Sequence, residues 1–332
     1  MADHAAEAFA QTFWEARSLW VNGRANEAKA LILTGAETAR EQSRLDIVEA
    51  ADAIVLAVNQ DPRAEFNLRD LLARLSKDFK HLIQWAIATL AFCKGEYSNA
   101  VRTMTEVIQS GATTPEKRLQ ALFFRGVARS RASNMWNAFE AIFDYDSIID
   151  SSEATTALRA KALNNRAVLR GHTNDYSKEL EDYERVITMS GVPTEQVALA
   201  RLNRGRARAL RGDRQSARDD FTALIDLPDV PPDLRVEALL DRGIARRHLE
   251  DVDGSILDLV TLIRSNDGLP KVRITAHINC GVAHELRGDL GKAQEYLEEA
   301  NRLSILEGEM ELAERARSLL SRVRGASDEH EA

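Results

Sequence analysis

The fold of this chain is decided by residues 201–225, which read RLNRGRARALRGDRQSARDDFTALI. The first half is rich in helix-forming residues and stops at Gly212, because glycine readily takes the left-handed backbone that ends a helix and reverses the chain. In the second half, Ala217, Phe221 and Ile225 are spaced i, i+4 and i+8, which places them on one helix face. The segment therefore predicts two antiparallel helices joined by a short turn.

This pattern recurs along the chain with a constant period of 38. Four copies of a short motif align without gaps: Asn165-Arg166-Ala167, Asn203-Arg204-Gly205, Asp241-Arg242-Gly243 and Asn279-Cys280-Gly281. A large side chain follows the small residue of each copy by 16 positions, as Tyr183, Phe221, Leu259 and Leu297. A constant register of this kind is typical of a repeat architecture.

Weaker copies extend the repeat towards the N-terminus, so that the chain divides into eight helical hairpins. They are predicted at residues 10–44, 45–80, 81–118, 119–156, 157–197, 198–235, 236–273 and 274–308. An amphipathic segment at 309–324 is expected to form a capping helix, and 325–332 a short polar tail.

A hairpin of two amphipathic helices cannot bury its apolar stripe alone, so neighbouring hairpins must stack. We therefore predict an all-α fold, a right-handed α-solenoid of stacked antiparallel hairpins, with residues 1–324 as a single domain. Glycine and proline, 17 and 7 among 332 residues, are too scarce for a β-sandwich or barrel, since both need frequent chain reversals.

The charge and the cysteine content narrow the class of protein further. A net charge of −8 opposes nonspecific attraction to nucleic acid or anionic lipid. Two cysteines, Cys93 and Cys280, lie far apart and support no disulfide framework. The N-terminus has no basic, apolar leader and no apolar run is long enough to span a bilayer, so we predict a cytoplasmic protein.

The sequence contains no recognisable catalytic motif. A nucleophile elbow, a phosphate-binding glycine loop and a His-Glu-x-x-His helix are all missing, so we predict that the protein is not an enzyme and needs no cofactor. His277, Cys280 and His284 share one helix face at i, i+3 and i+7, as the ligands of a metal could. Because no fourth ligand has a suitable spacing, we interpret them as core residues and predict no metal.

Aromatic residues form a separate cluster near the N-terminus. Its members are Phe9, Phe13, Trp14 and Trp20. They could cap the end of the array or serve as a contact patch, and capping is the simpler interpretation. Trp85 and Trp136 fit core or groove-wall positions.

The hairpin signature resembles that of the tetratricopeptide repeat family, in which a small residue, a turn and an apolar stripe occupy the positions of Gly205, Gly212, Ala217, Phe221 and Ile225. The period of 38 exceeds the 34 of that family, which implies a first helix about one turn longer. The large aromatic that commonly precedes the small residue is absent. The resemblance implies a scaffold whose first helices line a concave groove for a peptide or a partner's helix.

The resemblance also implies a set of binding residues. In proteins of that family, an Asn just before the small residue can hold an extended peptide backbone, since a carboxamide both donates and accepts hydrogen bonds. The alternative is that these side chains bond the local backbone or a neighbouring helix. The predicted peptide- or partner-binding residues are Asn165, Asn203, Arg206, Asp241, Arg247 and Asn279.

Arginine recurs beside these positions. Arg125, Arg166, Arg204 and Arg242 are followed, at a spacing of 16 or 19, by Asp144, Asp182, Asp220 and Asp258. This spacing predicts a bridge between the two helices of one hairpin, worth about 0–1 kcal/mol where it is partly exposed. The remaining arginines form either a basic strip in the groove or a solvated helix face; they are Arg206, Arg208, Arg211, Arg246 and Arg247.

We therefore predict a non-catalytic scaffold that binds a protein or peptide ligand in its concave groove, and a basic strip there would suit an acidic peptide. Two alternatives stay open: a nucleic-acid-binding repeat that uses the groove arginines, and an architectural module that self-assembles. An aromatic fraction of 6% gives few rings for stacking on bases, so nucleic acid is disfavoured. No membrane partner is expected, and the oligomeric state is left open.

Overall fold

Helices make up the regular structure of this chain. The computed structural model describes residues 4–42, 44–74, 77–110, 114–132, 135–265 and 269–331, and these ranges contain seventeen α-helices and no strand. The first nine are α1 His4–Val21, α2 Ala25–Glu41, α3 Leu45–Val58, α4 Ala64–Arg74, α5 Lys77–Cys93, α6 Tyr97–Gln109, α7 Pro115–Arg131, α8 Met135–Ile149 and α9 Thr156–His172. The others are α10 Tyr176–Thr188, α11 Thr194–Leu210, α12 Arg214–Ile225, α13 Pro232–His248, α14 Val252–Ser265, α15 Pro270–Leu286, α16 Leu290–Leu306 and α17 Met310–Glu331. The all-α prediction is confirmed.

The helices fall into two compact units. Unit 1 comprises Met1–Leu169 and unit 2 comprises Arg170–Ala332, so the border lies inside α9. Within unit 1, consecutive helices from α1 to α8 pack against each other, and α5 also packs against α1 and α3. Within unit 2, consecutive helices from α10 to α17 do the same, and α11, α13, α15 and α17 form a row of neighbours. Each unit is an array of hairpins with an odd-numbered first helix and an even-numbered second helix.

The first helices of successive hairpins have a common length and phase. α9, α11, α13 and α15 are each 17 residues long, and they begin at Thr156, Thr194, Pro232 and Pro270, in step with the period of the sequence motif. Most of these starts precede the predicted hairpin limits by about one helical turn, as at Thr194 against 198. The first turn of these helices is polar and often opens with proline. It therefore adds no residue to the apolar stripe, and the stripe alone does not predict where the helix begins.

The turn inside a hairpin contains a residue with a left-handed backbone. Gly212 has φ +86° and Asn174 has φ +61°. In the hairpin of α13 and α14, Glu250 takes this place with φ +65°. That conformation costs an L-residue about 1–2 kcal/mol, because its Cβ crowds the following carbonyl oxygen.

The small residue of the repeated motif gives a ring on the second helix room to pack. A Cβ on Gly205 would lie 2.5 Å from the ring of Phe221, and one on Gly126 would lie 2.8 Å from the ring of Tyr145. Both rings are almost completely buried. The absence of a side chain at Gly205 and Gly126 therefore allows the first helix to approach the second closely at these positions.

The two ends of the described chain are both helical. At the N-terminal end Phe9, Phe13 and Trp20 are buried, in agreement with the capping interpretation. At the C-terminal end α17 packs against α15 and α16, and it continues to Glu331, so residues 325–331 of the predicted polar tail are helical. Gly325, the poorest helix former in this stretch, costs only about 1 kcal/mol relative to alanine. Within the described ranges, no helix combines the length and the apolar character that crossing a membrane requires.

Candidate partner-binding surface

A buried aspartate on the second helix of a hairpin binds two arginines of the first helix. In the hairpin of α11 and α12, Arg204 Nε donates to Asp220 Oδ2 at 3.0 Å, and Arg208 Nη1 donates to the same oxygen at 2.7 Å. The Asp220 side chain is 3% exposed. The two arginines are four residues apart and therefore share one helix face. We call this group an Arg–Arg–Asp cluster.

Related clusters occur in other hairpins. Asp144 binds Arg125 and Arg129, Asp182 binds Arg170, and Asp258 binds Arg242 and Arg246. The bridges predicted for Arg125, Arg204 and Arg242 are thus confirmed, and the pairing of Arg166 with Asp182 stays a prediction. Because the aspartates are buried rather than partly exposed, breaking one bridge leaves an uncompensated charge at a cost of about 3–5 kcal/mol.

The same arginines also reach the second helix of the preceding hairpin. The pairs are Arg125–Thr105, Arg166–Asp146, Arg204–Glu184 and Arg242–Thr222. In all four the oxygen belongs to a residue 20 positions before the arginine; for Arg125 Nη1 and Thr105 Oγ1 the distance is 3.1 Å. The sequence alone did not predict this link between hairpins. The spacing of 20 is constant along the sequence. The residue type at the partner position, however, varies among Thr, Asp and Glu, so the position does not stand out as a repeated motif.

Most of the remaining arginines have carboxylate partners. Arg208 and Arg246 belong to the clusters, Arg206 binds Asp241 and Glu237, and Arg211 binds Glu179. Arg247, in contrast, pairs with no carboxylate among the described residues. Burial lowers the pKa of its guanidinium, and the nearby charge of Arg315 adds to this effect. The predicted basic strip is therefore reduced to Arg247.

A groove between α11 and α13 contains two of the predicted binding residues. Arg206 Nε donates to Asp241 Oδ2 at 2.6 Å, and Arg206 Nη2 donates to Glu237 Oε2 at 2.8 Å. Burial raises the pKa of the Asp241 carboxyl, although the charge of Arg206 opposes this shift. A cavity of about 390 Å³ beside the pair is also lined by Leu210 and Ile244. Leu210 is 89% exposed, so this α11–α13 groove combines a polar wall with an accessible apolar surface.

Two of the predicted asparagines have side chains available for a ligand. Asn203 lies on α11, three residues before Arg206, and Asn165 lies at the equivalent place on α9. Both are half-buried, and neither side chain makes a hydrogen bond to a described residue. Each carboxamide therefore keeps its donor and its acceptor free.

Asn279 behaves differently from these two. It is 3% exposed, and its Nδ2 donates to the backbone oxygen of Thr275 at 2.8 Å. Its helix α15 also packs against α17, which follows the last hairpin. The bond to Thr275 agrees with the alternative of a bond to the local backbone for this copy, and a contact of Asn279 with a partner stays a prediction.

In the last hairpin, neutral side chains replace the Arg–Arg–Asp cluster. Cys280, His284 and Tyr296 occupy the positions of Arg242, Arg246 and Asp258, one period further along the chain. The rings of His284 and Tyr296 stack with centroids 5.3 Å apart. Burial raises the pKa of the Cys280 thiol to about 12, although a hydrogen bond with Tyr296 has the opposite effect on this pKa. These contacts fit the core interpretation, and the described residues include no group of three side chains that could hold a metal ion.

Solved structures share this architecture. No family model matches the chain, and no curated protein sequence matches it. A tetratricopeptide repeat protein from Parabacteroides merdae aligns over 85% of this chain and 98% of its own, with 15% identity and a TM-score of 0.53. The apo form of RapI aligns over 97% and 98%, with 10% identity and a TM-score of 0.59. A chain of the APC/C hetero-tetramer Cut9–Hcn1 aligns over 93% and 54%, with 16% identity and a TM-score of 0.50. At these identities the similarity concerns the fold.

Proposed function

The chain has the helical-hairpin fold of tetratricopeptide repeat proteins, and on that premise we propose that it is a non-catalytic scaffold for protein interaction. Its proposed ligand is a peptide segment of a partner protein, held in the α11–α13 groove. The observation that carries this proposal is the unbonded carboxamide of Asn203, which precedes Arg206 by three residues and the exposed Leu210 by seven on α11 and therefore shares their helix face.

An extended peptide leaves its backbone N–H and C=O groups without partners, so a binding surface must supply both acceptors and donors. The Asn203 carboxamide offers one of each. Leu210 and Ile244 provide an apolar surface for one peptide side chain. Asn165 on α9 is proposed to act in the same way as Asn203, and Arg247 is proposed to meet an acidic group of the ligand.

Two further considerations support a protein ligand. One structure of similar fold is a chain of the Cut9–Hcn1 hetero-tetramer, in which that chain is part of a protein assembly. In this chain, Arg206, Arg208 and Arg211 are bound to carboxylates, so a nucleic-acid phosphate would have to displace these partners. Phosphate contacts also predict a steep loss of affinity with increasing salt, so a salt series with the purified ligand separates the two classes.

The test compares the full chain with Asn203→Ala and a matched control, Asn301→Ala. Asn301 is also a half-buried asparagine, but it lies on the second helix α16, outside the groove. Proteins retained by the immobilised wild-type chain from a cell extract are identified by mass spectrometry. Binding of the purified partner is then measured by calorimetry.

We expect Asn203→Ala to weaken binding roughly tenfold, equivalent to about 1.4 kcal/mol, and Asn301→Ala to leave it unchanged. Both variants are expected to fold, because neither side chain makes a hydrogen bond to a described residue; circular dichroism checks this. Equal affinity of all three proteins for the partner would exclude the groove. A partner that binds with a steep salt dependence and proves to be nucleic acid would contradict the proposal, as would a chain that retains only further copies of itself.

A further inference from the structure

A second cavity, in unit 1, plays no part in the function proposed above. It has a volume of about 480 Å³ and lies among α1, α5, α7 and the start of α9. Aromatic side chains and one cation form much of its wall, and we call it the aromatic cavity: Trp14, Arg17, Trp85, Phe92, Phe123 and Phe124. Trp14 and Trp85 meet edge to face with ring centroids 5.0 Å apart.

Arg17 is the unusual member of this wall. Its Nε donates to Thr89 Oγ1 at 2.9 Å, and its guanidinium carbon lies 4.4 Å from the ring centroid of Trp85 and 4.3 Å from that of Phe124. Among the described residues no carboxylate pairs with it, whereas the arginines of the Arg–Arg–Asp clusters all have one. Burial lowers the pKa of Arg17 to about 9, so the guanidinium is still charged at neutral pH.

Trp85, which also lines the aromatic cavity, has a second unused donor. The residue is 1% exposed, and its indole Nε1–H has no hydrogen-bond acceptor among the described residues. A buried donor without an acceptor costs about 1–3 kcal/mol. Within the part of the chain that the structure describes, the aromatic cavity is thus lined by Arg17, whose Nη groups have no protein acceptor, and by Trp85, whose buried indole N–H also lacks one.

We propose that the aromatic cavity binds a peptide segment of a partner protein in which an acidic side chain is flanked by large apolar residues. The carboxylate accepts hydrogen bonds from Arg17 and from Trp85 Nε1–H, and the apolar neighbours pack against Trp14, Phe92 and Phe123. This site is independent of the α11–α13 groove, so the two proposals can fail separately.

The charges around the cavity favour a carboxylate over a phosphate. Glu116, Glu153 and Lys161 also line it, and all three are exposed. A dianionic phosphate would be attracted by Arg17 and Lys161 but repelled by the carboxylates of Glu116 and Glu153. A single negative charge is balanced by Arg17, and the aromatic walls suit the apolar part of the ligand. A guanidinium between two rings is also held in one plane, which suits bidentate recognition of a carboxylate.

The test uses the full chain with ¹⁵N-labelled tryptophan and two probe peptides, acetyl-Phe-Asp-Phe-amide and its neutral isostere acetyl-Phe-Asn-Phe-amide. We expect the acidic peptide to shift the Trp85 indole N–H signal in a saturable way and to bind at least tenfold more tightly than the isostere. Trp136, 73% exposed on α8, is the internal control and is expected not to move. The loss of one signal in Trp85→Phe assigns the resonance.

Three results would overturn the assignment: no shift at Trp85, equal affinity for both peptides, or tighter binding of acetyl-Phe-Asn-Phe with a free terminal carboxylate than of the Asp peptide.

Arg17→Met retains an unbranched side chain of similar reach and is expected to abolish the preference for Asp over Asn. Arg24→Met removes an exposed arginine that pairs with Glu27, and it is expected to keep the preference. If Arg17→Met does not fold, Arg17→Lys provides the test: it retains the charge, so a preference for Asp must survive at lower affinity.

Discussion

Asp220 accepts hydrogen bonds from Arg204 and Arg208 and is almost completely buried. Its removal leaves Arg208 without a counter-charge and Arg204 with only the exposed Glu184, so we expect Asp220→Ala to lower the free energy of unfolding by about 3–5 kcal/mol. The neighbouring Asp219 pairs with Arg218 at the surface, where an ion pair contributes about 0–1 kcal/mol, and Asp219→Ala is therefore the matched control. Urea unfolding followed by circular dichroism measures both variants, and equal losses would contradict a structural role of the cluster.

Glycine at position 205 is required by the ring of Phe221 rather than by the backbone. We expect Gly205→Ala to destabilise the protein by about 1–3 kcal/mol, because the new Cβ overlaps that ring. A Cβ on Gly291 of α16 would meet no atom within 4 Å, so Gly291→Ala should instead stabilise the helix by up to about 1 kcal/mol. Thermal unfolding midpoints should move in opposite directions. A shift of both midpoints in the same direction would show that the ring contact does not decide the effect.

The two cysteines should differ in reactivity. Burial raises the pKa of Cys280 to about 12, and the thiolate is the nucleophilic form, so iodoacetamide should modify exposed Cys93 but not Cys280 in the folded protein. In the unfolded chain the pKa of a cysteine thiol is about 8.5. As the pH rises, the unfolded chain therefore loses this proton before the folded protein does, and the free energy of unfolding falls between that pH and a pH of about 12. Peptide mass spectrometry with and without urea measures the modification, and equal labelling of both cysteines would contradict the burial of Cys280.

At the level of elements, the turn between α13 and α14 contains a strained residue. Glu250→Gly should relieve about 1–2 kcal/mol of left-handed strain. The more flexible unfolded chain offsets about 0.4–1 kcal/mol of this gain, so we expect a higher thermal midpoint. Asn174→Gly is the comparison and should gain less, because asparagine tolerates this conformation better. A lower midpoint for Glu250→Gly would mean that its side chain makes a stabilising contact.

The hairpins themselves were predictable. Ala217, Phe221 and Ile225 form an apolar stripe on one helix face, the stripe recurs along the chain, and only the stacking of hairpins can bury it. The Arg–Asp bridges were predictable for the same reason, since the repeat fixes their spacing. The convergence of Arg204 and Arg208 on one carboxylate was not, because the pattern of charges does not distinguish a second buried partner from a solvated side chain. Glu250 was also missed, since its residue type gives no turn signal and only its phase in the repeat marks it.

At the level of the whole molecule, the sequence did not predict contacts that depend on distant parts of the chain. Asn279 was grouped with Asn203 because both occupy the same position in the repeat, but the hairpin of α15 and α16 is followed by the single helix α17 instead of another hairpin. Arg17 and Trp85 lie far apart along the chain, in different hairpins, so no local pattern joins them. The two compact units were likewise not predicted, since the border at Leu169 lies within a regular helix.

The spacing of the arginine contacts determines where the chain can change in length. The separation between each of four arginines and its partner in the preceding hairpin is always 20, whereas the separation from the aspartate of its own hairpin is 16 in α11–α12 and 19 in α7–α8. The turn between the two helices is equally long in both hairpins, so the extra residues of α7–α8 lie at the start of the second helix, between Met135 and Asp144. The segment that joins the oxygen of one hairpin to the arginine of the next, in contrast, keeps a constant length. Foreign loops or reporter tags should accordingly be inserted after a first helix, as at Gly212, and kept out of the connection that leads into the next.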